Sequence, residues 1–175
     1  MIRTRVGYTG GTTPDPTYHR LGDHTETVQI DFDPRVISYE ALLRLFWAEH
    51  DPTSSSGSRQ YMAAVFYHGD VQRRAAEESK ARLAERLGKP IRTQILPAAR
   101  FTRAEGYHQK YYLRHERAVM REFAALYPTE EAFVDSTAAA RANGYAGGYG
   151  APGDREADLP RLGLSADAQR RLRQP

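Results

Sequence analysis

The chain has 175 residues and no cysteine, and 25 Lys and Arg against 22 Asp and Glu leave it at +3. These residues can supply no disulfide, zinc–thiolate centre or cysteine nucleophile. No apolar run approaches the roughly 18 residues of a membrane span, and no apolar signal core opens the chain, so a cytoplasmic protein with no membrane contact is expected. The cations are almost all arginine, with lysine only at 80, 89 and 110, and they are interspersed with acids, as in Glu77-Glu78-Ser79-Lys80-Ala81-Arg82. Nucleic-acid binding would need a concentrated basic face, so no nucleic-acid partner is expected.

Residues 2–9 read as a short strand that Gly10-Gly11 ends, and Thr12 to Asp23, with two prolines, reads as an ordered loop. Thr27 to Asp33 alternates, with Val28, Ile30 and Phe32 on one face and Gln29, Asp31 and Asp33 on the other, the pattern of a half-buried strand. Ser38 is placed as the N-cap of a helix whose apolar face is Tyr39, Leu42, Leu43, Phe46 and Trp47.

A Ser/Gly loop over 53–59 leads into a strand over Gln60 to Tyr67. Asp70 then caps a long helix with Val71, Ala75, Leu83 and Leu87 on its buried side and Gly88 at its end. Ile91 to Leu96 reads as a further strand. Glu105 to His115 and Glu116 to Leu126 read as helical, and Thr129-Glu130-Glu131 opens another helix, its acids at the positive end of the dipole. The glycines at 144, 147, 148, 150 and 153 read as a loop, and Ser165 to Arg173 as a short amphipathic helix. The order of elements argues for an α+β fold, a two-layer sandwich with helices packed on a mixed sheet. No domain boundary stands out.

The runs Arg5-Val6-Gly7-Tyr8-Thr9-Gly10-Gly11, Asp15-Pro16-Thr17-Tyr18 and Gly22-Asp23-His24-Thr25-Glu26 resemble the signature of the methionine sulfoxide reductase A family. The likeness continues in register through Phe32-Asp33-Pro34, Ile37-Ser38-Tyr39-Glu40, Phe46-Trp47, His50-Asp51-Pro52, Arg59-Gln60-Tyr61 and Ala104-Glu105-Gly106-Tyr107-His108-Gln109. The stretch Asp135 to Tyr145 resembles one subgroup of that family. The resemblance implies a ferredoxin-like sandwich and a reductase domain over residues 1–150, followed by a C-terminal tail over 151–175.

The activity so implied is reduction of methionine (S)-sulfoxide, free or in proteins, as oxidative-stress protein repair. A thiolate attacks the sulfur, an acid protonates the oxygen, and a second thiol resolves the sulfenic acid. It implies no bound cofactor and no metal, an external thioredoxin-like thiol as reductant, and a monomer. Carried over by position, Glu26 would be the proton donor, held in a partly desolvated pocket that raises its pKa. Tyr18 and Tyr61 would hydrogen-bond the sulfoxide oxygen. Taken singly, Tyr18 could as well cover the core, Glu26 be surface charge and Tyr61 be packing. His19 and His24, and His108 and His115, make no metal spacing with a nearby carboxylate. Tyr107 to Tyr111 reads as scaffold or pocket wall.

Three departures from the family pattern stand out. The Gly-Cys-Phe-Trp segment that would carry the nucleophile is not in the chain, so an N-terminal strand and helix are expected to be missing through a misassigned start. The chain as given is then expected to be inactive alone. The loop Thr53-Ser54-Ser55-Ser56-Gly57-Ser58 stands where many relatives carry an aspartate, and no C-terminal cysteine is present. The alternative is a catalytically dead module that binds methionine sulfoxide, or a pseudogene product.

Overall fold

A computed structural model describes residues 2–173. In chain order the elements are β1 (Arg3–Thr9), β2 (Thr25–Asp31), α1 (Tyr39–Ala48), β3 (Ala64–Tyr67), α2 (Gly69–Leu87), β4 (Gln94–Pro97) and β5 (Thr102–Arg103). They are followed by α3 (Tyr111–His115), α4 (Arg117–Leu126), α5 (Glu130–Asp135), α6 (Thr137–Ala146), α7 (Pro152–Asp158) and α8 (Ala166–Arg173). The fold is α+β. Among the described residues the strands form two sheets, a three-stranded one ordered β2-β1-β5 and a parallel pair β3-β4. β1 meets β5 antiparallel, Gly7 opposite Arg103 and Tyr8 opposite Thr102. β3 and β4 pair from Ala64–Gln94 to Tyr67–Pro97, with α2 as their crossover.

Two compact units emerge. One comprises Val6–Val28 and Phe32–Ala104; the other comprises the chain up to Arg5, Gln29–Asp31 and everything from Glu105. No feature of the sequence marks this boundary.

The first unit holds two small apolar clusters, Tyr8, Leu21 and Ala104 in one and Leu43, Val65 and Ala76 in the other. Ser38 caps α1 as expected, accepting from Ala41 N, and Leu43 is its buried residue. α2 differs from expectation. Its N-cap is His68 rather than Asp70, and it buries Ala76 and Leu83 while Val71 and Leu87 stay exposed. A largely polar helix is held along its solvent side by pairs such as Arg73–Asp70 and Arg73–Glu77. Gly88 closes it in the left-handed region at φ +61°. His50 is structural, its Nδ1 at 2.8 Å from Phe46 O and its Nε2 at 2.9 Å from Thr93 Oγ1.

The alternation of β2 is real but its sides are reversed. Val28 is 55% and Ile30 36% exposed, while Gln29 and Asp31 are half-buried. The polar face is the more covered one because it carries a charge network: Arg5 donates to Gln29, Asp31 and Asp135, and Arg3 to Asp31 and Asp135.

The second unit is a helical bundle around one continuous core that runs from Leu113, Val119 and Phe123 to Leu159, Leu162 and Leu172. Thr129 and Ser136 cap α5 and α6 through their hydroxyls. The glycine-rich loop begins later than expected, since α6 runs through Gly144 to Ala146. Tyr145 there is buried and donates to Asp158 Oδ2 at 2.7 Å; burial and then that carboxylate push its hydroxyl up to about 12. Residues 152–173 are packed into this core rather than trailing as a tail, with Leu159 and Leu172 fully buried.

Candidate functional site

The three residues singled out in the sequence all lie in the first unit. Two loops and the start of β2 bring them together. The loop after β1 is organised by Asp23, whose carboxylate accepts from the backbone and hydroxyl of Thr12 and Thr13 at 2.7–2.9 Å. These bonds, the Thr13 backbone first, hold the Asp23 carboxyl well below the usual carboxylate range. Gly22 sits in the left-handed region at φ +64°, so close to Thr13 that a Cβ there would lie 2.2 Å from its Oγ1. His24 is buried, its Nε2 at 2.9 Å from Thr13 O and its Nδ1 without a hydrogen-bond partner.

Tyr18 stands at the tip of this loop, in a tight turn closed by Thr17 and Arg20 bonding each other's backbone. Its ring meets His19 edge-on at 5.3 Å, and it is 37% exposed.

The second loop is tied to the first by Arg59. Its guanidinium donates to two backbone carbonyls, Asp23 O at 2.6 Å and Gly10 O at 2.7 Å. Thr25 Oγ1 donates back to Arg59 O, and Glu26 N to Gln60 O, both at 3.0 Å. The serines before it bond within their own loop, as Ser56 Oγ does to Ser58 O. Residues 60–63, expected to begin a strand, turn instead, with Met62 N bonded to Arg59 O. Tyr61 therefore does not lead a buried strand; it projects from a turn and is 60% exposed.

The side chains then converge. Gln60 Nε2 donates to Glu26 Oε1 at 2.6 Å and to the Tyr61 hydroxyl at 3.1 Å, and that hydroxyl shares a hydrogen bond with Tyr18. Local desolvation, then the Glu26 carboxylate and Tyr18, push the Tyr61 hydroxyl up from its ordinary value. Glu26 itself is exposed, not enclosed in the desolvated pocket expected of it. The arrangement offers two phenols and a carboxyl group within one hydrogen-bonded chain, a donor set suited to a polar oxygen that gains a proton.

The sequence motifs alone give Gln60, Arg59 and Asp23 no role. Only the folded loops show that they tie Tyr18, Glu26 and Tyr61 together. Tyr107 and His108 lie in the helical unit, on a single 3-10 turn before α3. Among the described residues no three His, Cys, Asp or Glu side chains gather as a metal site would, and no helix is long and apolar enough to cross a membrane.

The sequence profile of the family described as peptide methionine sulfoxide reductase matches residues 1–142. A peptide methionine sulfoxide reductase of Drosophila melanogaster is 37% identical over 167 residues, covering 94% of this chain and 67% of that protein. One from Bacillus subtilis is 48% identical over 120 residues, 62% of this chain and 68% of its own length. Among solved structures, reduced Mxr1 from Saccharomyces cerevisiae is similar at a TM-score of 0.60 and 29% identity, over 63% of this chain and 70% of that one. The methionine sulfoxide reductase A of Corynebacterium diphtheriae is similar at a TM-score of 0.54 and 31% identity, over 63% and 62%. The chain belongs to the peptide methionine sulfoxide reductase family, oxidoreductases that act on methionine sulfoxide.

Proposed function

We propose that this chain binds the sulfoxide group of methionine (S)-sulfoxide, in proteins or free, as the oxygen-binding half of a reductase site. Tyr18 and Tyr61 would hydrogen-bond the sulfoxide oxygen and Glu26 would deliver its proton. The observation that carries this reading is the hydrogen-bonded chain Glu26, Gln60, Tyr61, Tyr18, assembled from two separate loops.

Reduction needs a thiolate, and with no cysteine in the sequence it must come from outside these 175 residues. The balanced reaction consumes two thiols: one attacks the sulfoxide sulfur and, as methionine departs, keeps the protonated oxygen as a sulfenic acid, and the second thiol then closes a disulfide and releases that oxygen as water. A thioredoxin-like protein would restore the thiols, and no bound cofactor takes part. We place the chain in the cytoplasm as a monomer.

The missing nucleophile favours a second reading, a module that recognises the sulfoxide without reducing it. Titrating the chain with the S and R epimers of N-acetylmethionine sulfoxide tests both. Saturable binding of the S epimer is expected, weakened by Tyr18→Phe, Glu26→Gln and Tyr61→Phe. A supplied thioredoxin system without turnover supports the binding module, and turnover supports the reductase. Absence of saturable binding by either epimer overturns the site.

A further inference from the structure

Gln60 has no part in the reaction as stated, yet it joins two of the three residues on which that reaction rests. One hydrogen of its carboxamide nitrogen goes to Glu26 Oε1 at 2.6 Å, the other to the Tyr61 hydroxyl at 3.1 Å. The orientation of the amide follows from these partners. With Glu26 ionised, a flipped carboxamide would set its oxygen against the Glu26 carboxylate at hydrogen-bond distance, acceptor against acceptor. The nitrogen therefore faces the site.

The backbone of Gln60 is fixed independently of its side chain. Gln60 O accepts from Glu26 N at 3.0 Å, and Gln60 N donates to Ser58 Oγ at 3.2 Å. Arg59 anchors the same turn to Asp23 O and Gly10 O, and Thr25 Oγ1 anchors it to Arg59 O. Five hydrogen bonds thus hold the loop without the carboxamide. A side chain redundant for holding the loop, with both its donors directed at the site's acid and phenol, has a different task.

We propose that Gln60 is the positioning residue of this site: its carboxamide holds the Glu26 carboxyl and the Tyr61 hydroxyl one NH2 group apart, so that both act on a single sulfoxide oxygen. The assignment rests on the reading of Glu26 and Tyr61 as oxygen-binding residues. Gln60 also donates to Glu26 in the state that follows proton delivery, since a carboxylate accepts this bond more strongly than a carboxylic acid. It therefore holds the acid without touching the substrate. Because Tyr61 in turn bonds Tyr18, an error at Gln60 would reach both phenols.

The full 175-residue chain, labelled with 13C at the tyrosine Cζ, separates this from a structural role. The Tyr61 resonance is assigned with Tyr61→Phe. Gln60→Leu keeps the side chain's approximate volume and removes both donors. It is expected to move the Tyr61 Cζ resonance at neutral pH, to weaken binding of N-acetylmethionine (S)-sulfoxide about ten-fold, and to leave the thermal midpoint in place. Gln60→Glu, of equal length but acceptor-only, is expected to weaken binding at least as far, and it decides the question should the leucine variant fold poorly. A folded variant that binds the sulfoxide as the parent does, or that leaves the Tyr61 resonance unmoved, overturns the proposal. If the parent chain binds no sulfoxide, the proposed function falls. The substrate-free Tyr61 resonance still reports whether the bridge exists, so the two failures are told apart.

Discussion

The two units of this chain are held by different means. From Glu105 onward the helices share one continuous apolar core, with Phe123, Leu159 and Leu172 fully buried. The unit that carries Tyr18, Glu26 and Tyr61 has two small apolar clusters, and its loops are ordered by polar bonds to Asp23, Arg59 and Gln60. Apolar burial is non-directional and tolerates small shifts, whereas hydrogen bonds fix distance and angle. A site proposed to place three oxygens around one substrate atom is better organised by the second means, and a bundle that must stay folded by the first. Truncation of apolar residues should therefore cost stability in the helical unit, and loss of single hydrogen bonds should cost recognition in the other.

The sharpest way to break that contrast is the helical core. Phe123→Ala is expected to destabilise the protein by about 3–5 kcal/mol, read from denaturant unfolding. Leu159→Ala, in the segment the sequence suggested was a tail, is expected to cost about 2–5 kcal/mol. A loss under about 0.5 kcal/mol would show that the segment is indeed peripheral.

In the loop unit the expected loss is of function. Tyr61→Phe removes the hydroxyl that joins Gln60 to Tyr18 and should weaken sulfoxide binding about ten-fold, with little change in the melting temperature. A melting temperature that falls as far as the affinity would return Tyr61 to a packing role.

Asp23 gives the contrast a pH dependence. Its carboxyl is held below its unfolded value, so the folded loop is favoured wherever Asp23 is ionised in both states. That contribution is complete above the unfolded pKa, about 4, and is lost as pH falls through the depressed folded value. Hydrogen exchange at the Thr12 and Thr13 amides should accelerate relative to Asp23→Asn only below about pH 4. An equal profile in the two proteins would show that Asp23 does not order the loop.

The smallest effect is expected at Val28. As an exposed residue of β2, Val28→Thr should change stability by less than about 0.5 kcal/mol. A larger cost would mean that this face is covered in solution.

Much of the fold was legible because short-range rules sufficed. Ser38 and Thr129 at helix starts, Gly88 at a helix end and the alternation over β2 all appear where their chemistry puts them. Failures came where tertiary partners decide. The apolar alternation of β2 cannot say which face is covered, and Arg3 and Arg5 reverse the expected side by drawing its polar face against Asp135. α6 runs through Gly144 because Ser136 caps it and Tyr145 finds Asp158, a partner 13 residues on. Of the site, Tyr18, Glu26 and Tyr61 were legible only through resemblance, since nothing in their spacing brings 18, 26 and 61 together. Gln60 was hidden in plain view, a polar residue beside a tyrosine, until the turn at 60–63 aimed its carboxamide at Glu26.

Gly22 gives the site loop a genetic consequence. Any other residue there adds a Cβ that collides with Thr13 2.2 Å away and must sit at φ +64°, where side chains are strained. Thr13 is also what Asp23 grips on one side and His24 on the other. Every missense change at that single codon, conservative or not, should therefore loosen the loop that presents Tyr18. A lineage under selection for sulfoxide recognition would keep this codon fixed while the helical unit drifts among apolar residues of similar size. A lineage released from that selection would lose Gly22 early, and so leave a readable date for the loss.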